Sequence, residues 1–256
     1  MDISIKNNVN FYGRCPEIRA GGDVCRIIKS QFPSYSVSKL NKRIDLLHQK
    51  GILTGSKYSH TVDWWGDKTA LRTYKLNRAI QHFDYKVYLD TIRFIKSTKI
   101  ADCGQLADLA AFILKLNGYK PAIAYINLSG GQKLDHALCV FNKNNKPIKE
   151  ITKETIILDP WLGECDFAPN ILKKYKEEYN GYFKIRGLVG PKEPFIYIKP
   201  EEKLTATLGK VQTKMKTREV EEMRAQYPNL LIKDSKYTKP QSALQRFHNY
   251  IKSFVN

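Results

Sequence analysis

Long hydrophobic runs are missing from this chain, and so are the patterns that announce several common functions. No apolar stretch reaches the roughly 20 residues that a membrane-crossing helix needs. The opening segment MDISIKNNVNFYGR has no apolar core of the signal-peptide kind, so an ordinary cleaved export signal is not expected. The five cysteines, Cys15, Cys25, Cys103, Cys139 and Cys165, are odd in number and irregular in spacing. That excludes a complete disulfide framework and fits reduced thiols working in a cytosolic compartment. There is no RNP box, no zinc-finger spacing, no GxGxxG, no internal repeat and no low-complexity tract. His136 and Cys139 have no CxxC or HxxxH pair to complete a metal site, so neither metal nor cofactor is expected.

Acidic residues are scarce beside basic ones. Asp and Glu number 25 against 43 Lys and Arg, a net charge of +18 over 256 residues. Such a balance raises the question of nucleic acid or an acidic membrane. The excess is spread, however, at +5 in residues 1–50, +7 in 51–198 and +6 in 199–256. No dense basic arm exists, and a lysine-rich solvated surface is the simpler reading. The length allows one elaborated domain or two small ones.

Apolar spacing predicts helices over Asp23–Leu47, broken by Phe32–Ser36, and over Leu71–Ile95. Gly51–His60 reads as a loop. The strongest helix is Ala101–Asn117, with Leu106, Leu109, Ala110, Ile113 and Leu114 as its apolar face. Asp102 suits its N-cap, Gln105 completes a capping box, and Asn117–Gly118 is a stop signal. Strand-like runs follow at Pro121–Leu128, Asp135–Phe141 and Thr155–Leu158, with Phe195–Ile198 as a further candidate. Thr217–Gln226 reads as a charged helix, and Gln241–Val255 as an amphipathic one that docks on the protein's own surface. A helix followed by successive strands implies an antiparallel α+β core.

Cys103 follows the N-cap and so lies in the first helical turn. Unpaired N–H groups and the positive end of the helix dipole favour a thiolate there, and the same N–H groups suit a tetrahedral oxyanion. Gly104 leaves room for a carbonyl to approach. His136 opens the strand DHALCVF and is expected at the rim of the face carrying Leu138 and Val140. Asp159, where Pro160 must end a strand, suits the group that orients the imidazole. Asp135 is its competitor, expected on the opposite face. Trp161 serves either packing or a wall of the site. Cys139 is expected in the core, while Cys165 in GECDF reads as a loop thiol. His48, His60, His82 and His248 read as surface residues, and Trp64–Trp65 as a recognition feature or a cap over the core.

DCGQLADLAAFIL, then DHALCVF, then ILDPWLG, in that order, resemble the papain-like and transglutaminase-like superfamily of cysteine enzymes. The DPW form resembles bacterial effector domains that deamidate or transamidate protein glutamines. The resemblance spans about residues 86–200 and implies a core in which a Cys-bearing helix packs on an antiparallel sheet carrying His and Asp. Residues 1–85 and 201–256 then form helical flanking regions, the natural places for substrate selection. Cys103 becomes the nucleophile, His136 the base, Asp159 the orienter, and the Cys103 N–H part of the oxyanion hole. Ser97 stands where papain-type proteases carry their oxyanion glutamine. The resemblance implies a host protein as glutamine donor, water or a lysine amine as acceptor, and action in the host cytosol. A papain-like protease and a non-catalytic basic binding module are the alternatives.

Overall fold

The capping and alternation signals in the middle of the chain become the frame of the computed structural model, which describes residues 15–33, 35–36, 86–98, 100–178, 198–209 and 214–237. The elements in order are α1 (Pro16–Gln31), β1 (Tyr35–Ser36), α2 (Lys86–Thr98), β2 (Ile100–Ala101) and α3 (Cys103–Leu116). Then come β3 (Ala122–Leu128), β4 (Lys133–Asn142), β5 (Thr155–Asp159), β6 (Glu164–Phe167) and α4 (Ala168–Glu178). Last are β7 (Leu204–Leu208), α5 (Thr217–Gln226) and a short 3-10 turn at Pro228–Leu230. The architecture is α+β. The main sheet has the order β6-β5-β4-β3-β7 and is antiparallel throughout. Among the described residues no helix is long and apolar enough to cross a membrane.

Period-two alternation gives the sheet two buried faces. Cys139, Phe141, Ile156, Leu158 and Cys165 point to one side, where α1, α2, α3 and α5 contribute to a shared core. Leu138, Val140 and Ile157 point to the other side, against Ala168, Ile171 and Tyr175 of α4. With helices on both faces, β5 is buried along its whole length, which is why it reads as a continuous apolar run. α3 is apolar around most of its circumference because other helices cover it as well as the sheet.

Several elements correct the sequence reading. α1 begins at Pro16, ahead of the expected Asp23, and takes Gly21 and Gly22 into its interior. The reason is contact: a Cβ on Gly21 would stand 2.2 Å from Cys165 Sγ. Cys165 is therefore not a loop thiol but a buried residue of β6. The break at Phe32–Ser36 is real, yet Tyr35–Ser36 pairs in parallel with Ile100–Ala101, just ahead of α3. Ile198 is buried without strand structure, and the rest of Phe195–Ile198 lies outside the described residues. So do residues 37–85 and 238–256, with Trp64–Trp65, His48, His60, His82, His248, the loop at Gly51–His60 and the tail helix.

The core draws on segments either side of residues 86–200. α1 packs on α3, β5 and β6, β7 pairs with β3, and α5 packs on α3. The segment after α5 is tied to the end of α3. Asn117 Nδ2 donates to the Leu230 carbonyl at 2.9 Å, and Asn117 Oδ1 accepts from Ile232 N–H at 3.0 Å. Arg19 of α1 pairs with Asp234 at 3.1 Å. Gly118 is required at this junction, since it has φ +79° and a Cβ would lie 2.5 Å from the Tyr237 nitrogen.

Gly21→Ala gives a first prediction. Helix propensity alone would make it stabilising by up to about 1 kcal/mol. Overpacking against Cys165 is worth about 1–3 kcal/mol in the other direction and wins, so urea denaturation is expected to show a net loss of stability. Adding Cys165→Ala to the same chain should restore most of it. A Gly21→Ala chain as stable as the parent would show that α1 does not approach β6 so closely.

Candidate active site

The start of α3 is built by the capping box expected from sequence. Gln105 N–H donates to Asp102 Oδ1 at 2.7 Å, and Asp102 N–H donates to Gln105 Oε1 at 3.1 Å. The cap satisfies the third N–H of the helix. The N–H groups of Cys103 and Gly104, at its first two positions, have no acceptor within the helix. A Cβ on Gly104 would lie 3.3 Å from Asp102 Oδ1, so the small residue also gives the capping carboxylate its room. The thiol of Cys103 is partly exposed.

His136 and Asp159 meet just past the last backbone pair of their strands. The β4–β5 register runs from Asn142 with Thr155 to Cys139 with Leu158. His136 lies three residues further along β4, and Asp159 one residue further along β5. On the other side of β4 the register with β3 shifts: Tyr125 faces Ala137, whereas Asn127 faces Lys133. β4 thus carries two extra residues in the stretch that holds His136, a bulge that re-aims side chains. The imidazole is not at an open rim, as its face assignment suggested, but 1% exposed with Trp161 against it. The two ring centroids are 5.1 Å apart.

His136 Nε2 lies 2.5 Å from Asp159 Oδ2, with both side chains fully buried. Cys103 lies near enough for its sulfur to favour a charged imidazole. Burial opposes a positive charge on His136, but Asp159 and the Cys103 sulfur outweigh it and push the imidazole up to about 10. It therefore holds its proton well above neutral pH.

Asp159 is held from four directions. Oδ1 accepts from the backbone N–H of Trp161 at 2.9 Å and of Leu162 at 3.2 Å. Oδ2 accepts from His136 and from the Tyr175 hydroxyl, the latter at 2.7 Å. Pro160 starts the turn and Gly163, at φ +77°, ends it, so that β6 can pair back with Glu164 opposite Asp159. DPWLG is thus a hairpin turn whose first residue both caps the turn and binds the imidazole.

Cys103, His136 and Asp159 are brought together, with Gly104 and Trp161 beside them. Tyr175 was not anticipated. It lies on α4, and nothing in the lysine-rich sequence around it marks one tyrosine as a partner of Asp159. The Asp135 side chain lies outside the described residues. Cys139 is buried, as its alternation implied, and burial pushes its thiol up, as it does that of Cys25. Ser97 is a residue of α2. Among the described residues no group of three or more His, Cys, Asp and Glu side chains is placed to hold a metal ion.

This arrangement is equipped for nucleophilic acyl chemistry. A partly exposed cysteine lies near an imidazole, a buried carboxylate fixes that imidazole, and backbone donors stand beside the sulfur. Searches of protein-family models, curated proteins and solved structures found no match to the chain.

Proposed function

We propose that the protein is a cysteine acyltransferase of the papain-like and transglutaminase-like kind, acting on glutamine side chains of a protein substrate. One observation carries the reading: Cys103, at a helix start, stands near an imidazole whose Nε2 is 2.5 Å from a buried carboxylate. The order of the three residues in the chain and the DPW turn add the choice of substrate, through the resemblance to effector deamidases and transglutaminases.

The Cys103 sulfur, as a thiolate paired with the His136 imidazolium, attacks the glutamine carboxamide carbon. The N–H of Cys103, with that of Gly104, receives the oxyanion. The His136 imidazolium protonates the amide nitrogen, the C–N bond breaks and ammonia leaves. Water or a lysine amine then gives its proton to Nδ1 and attacks the thioester. The C–S bond breaks and the carboxamide becomes a carboxylate or an isopeptide. Trp161 walls the imidazole from water. The substrate is a host protein met in the host cytosol, where an effector thiol stays reduced.

Selective alkylation tests the nucleophile without knowledge of the substrate. A short iodoacetamide pulse near neutral pH, read thiol by thiol by mass spectrometry, is expected to modify Cys103 at least about tenfold faster than Cys15. Cys15 is the stringent control because it too is partly exposed and stands at a helix start, as the N-cap of α1. Labelling of Cys103 and Cys15 at equal rates would remove the ground for an activated sulfur.

A further inference from the structure

We propose that Tyr175 is a positioning residue of the Cys103–His136–Asp159 site, its hydroxyl sharing Asp159 Oδ2 with His136 and so setting how strongly the carboxylate holds the imidazole. The inference rests on the acyltransfer reading and adds a fourth side chain to it. The hydroxyl donates at 2.7 Å to the oxygen that lies 2.5 Å from His136 Nε2. Tyr175 is wholly buried, and its ring stands edge-on to the imidazole with centroids 6.4 Å apart.

α4 grips both members of one strand pair with consecutive residues. Tyr175 bonds Asp159, while Lys174 bonds Glu164 at 2.8 Å, and Asp159 and Glu164 face each other across the hairpin. The helix therefore fixes the end of the hairpin relative to His136. Oδ1 is already anchored by two backbone donors, so the carboxylate's orientation does not depend on Tyr175 alone. What the phenol adds is competition. A carboxylate oxygen that accepts a second hydrogen bond shares its negative charge and attracts the imidazolium less.

The charged and titratable surroundings of the pair are few. Cys103 comes from α3, Asp159 from β5 and Tyr175 from α4. Glu164 of β6 is neutralised by Lys174. Cys25 of α1 is near enough to feel Asp159 and Glu164, and burial pushes its thiol up. The imidazole itself is raised to about 10 by its neighbours.

The test is an NMR titration of the full chain with nitrogen-15-labelled histidine, following the ring of His136. Tyr175→Phe keeps the ring and removes the donor, and is expected to move the loss of the imidazole proton upward by roughly half to one pH unit. Replacement of Tyr175 by 4-aminophenylalanine, which keeps a weaker donor and the buried contact, should give a smaller upward shift. That second variant decides the matter if the phenylalanine variant fails to fold. An unchanged or lowered titration in the folded variants overturns the inference. Asp159→Asn belongs in the same series. If it lowers the titration while the Tyr175 variants do not move it, only the role of Tyr175 fails. If Asp159→Asn leaves it in place, the His136–Asp159 pairing behind the acyltransfer reading fails as well.

Discussion

Cys103→Ala is expected to abolish the proposed release of ammonia from protein glutamine, with a loss on the order of 10⁴–10⁶ in rate. The expectation follows from the division of labour in the site. His136 and Asp159 act only through the sulfur, and the helix-start N–H groups stabilise an oxyanion that forms only after sulfur attacks. Water activated by His136 is a poor substitute, because the imidazole is 1% exposed and covered by Trp161. Folding should change little. Cys103 is partly exposed at N1, and the capping box is formed by Asp102 and Gln105. A variant with native melting behaviour and no activity is the predicted outcome, measured as ammonia released per chain. Retention of a tenth or more of the activity would show that a different group attacks.

Asp159→Asn is the second large effect, expected to reduce activity on the order of 10³–10⁴ in rate. The amide can still accept from the Trp161 and Leu162 N–H groups through its oxygen, so the turn persists. Its NH₂ then faces His136 Nε2 and the Tyr175 hydroxyl, where an acceptor is needed. Nε2 must become the acceptor, which moves the imidazole proton to Nδ1, the nitrogen assigned to Cys103 in the proposed reaction, and removes the base. The substitution also removes a pH dependence of stability. The imidazole is raised from 6.5 to about 10 in the folded protein, so its charge contributes stability fully below pH 6.5 and loses it as pH rises through 10. The parent should therefore show a fall in melting temperature between those limits that Asp159→Asn does not. Equal slopes in the two chains would mean that His136 gains nothing from Asp159.

How much of this was legible in the sequence differs from element to element, for physical reasons. α3 was legible at both ends because its signals are local: the Asp102–Gln105 box and the Asn117–Gly118 stop act within one turn of themselves. α5 was legible likewise, over Thr217–Gln226. β3, β4 and β5 followed from apolar runs that both faces of the sheet require. β6 was not, because its four residues carry two acids and only pairing with β5 makes them a strand. β7 was hidden for the same reason, since its identity comes from the edge of β3. The start of α1 was hidden by Gly21 and Gly22, where a tertiary contact overrides a local preference.

Within the site, the three residue types and their order could be read. Their depth could not. The burial of His136 depends on how β4 pairs with its neighbours, and the link from Tyr175 to Asp159 spans 16 positions from helix to strand end. The basic charge takes a lesser place in this account. It is distributed over the chain, whereas the proposed chemistry sits between Cys103 and Tyr175.

The central claim is acyl transfer from glutamine by Cys103, and proteomic comparison of cell lysate treated with the parent chain and with Cys103→Ala tests it most directly. The account predicts intact substrate proteins bearing glutamine-to-glutamate changes or glutamine–lysine crosslinks with the parent chain, and none with the variant. Discrete cleavage fragments in place of those changes, or identical modifications with both chains, would contradict it.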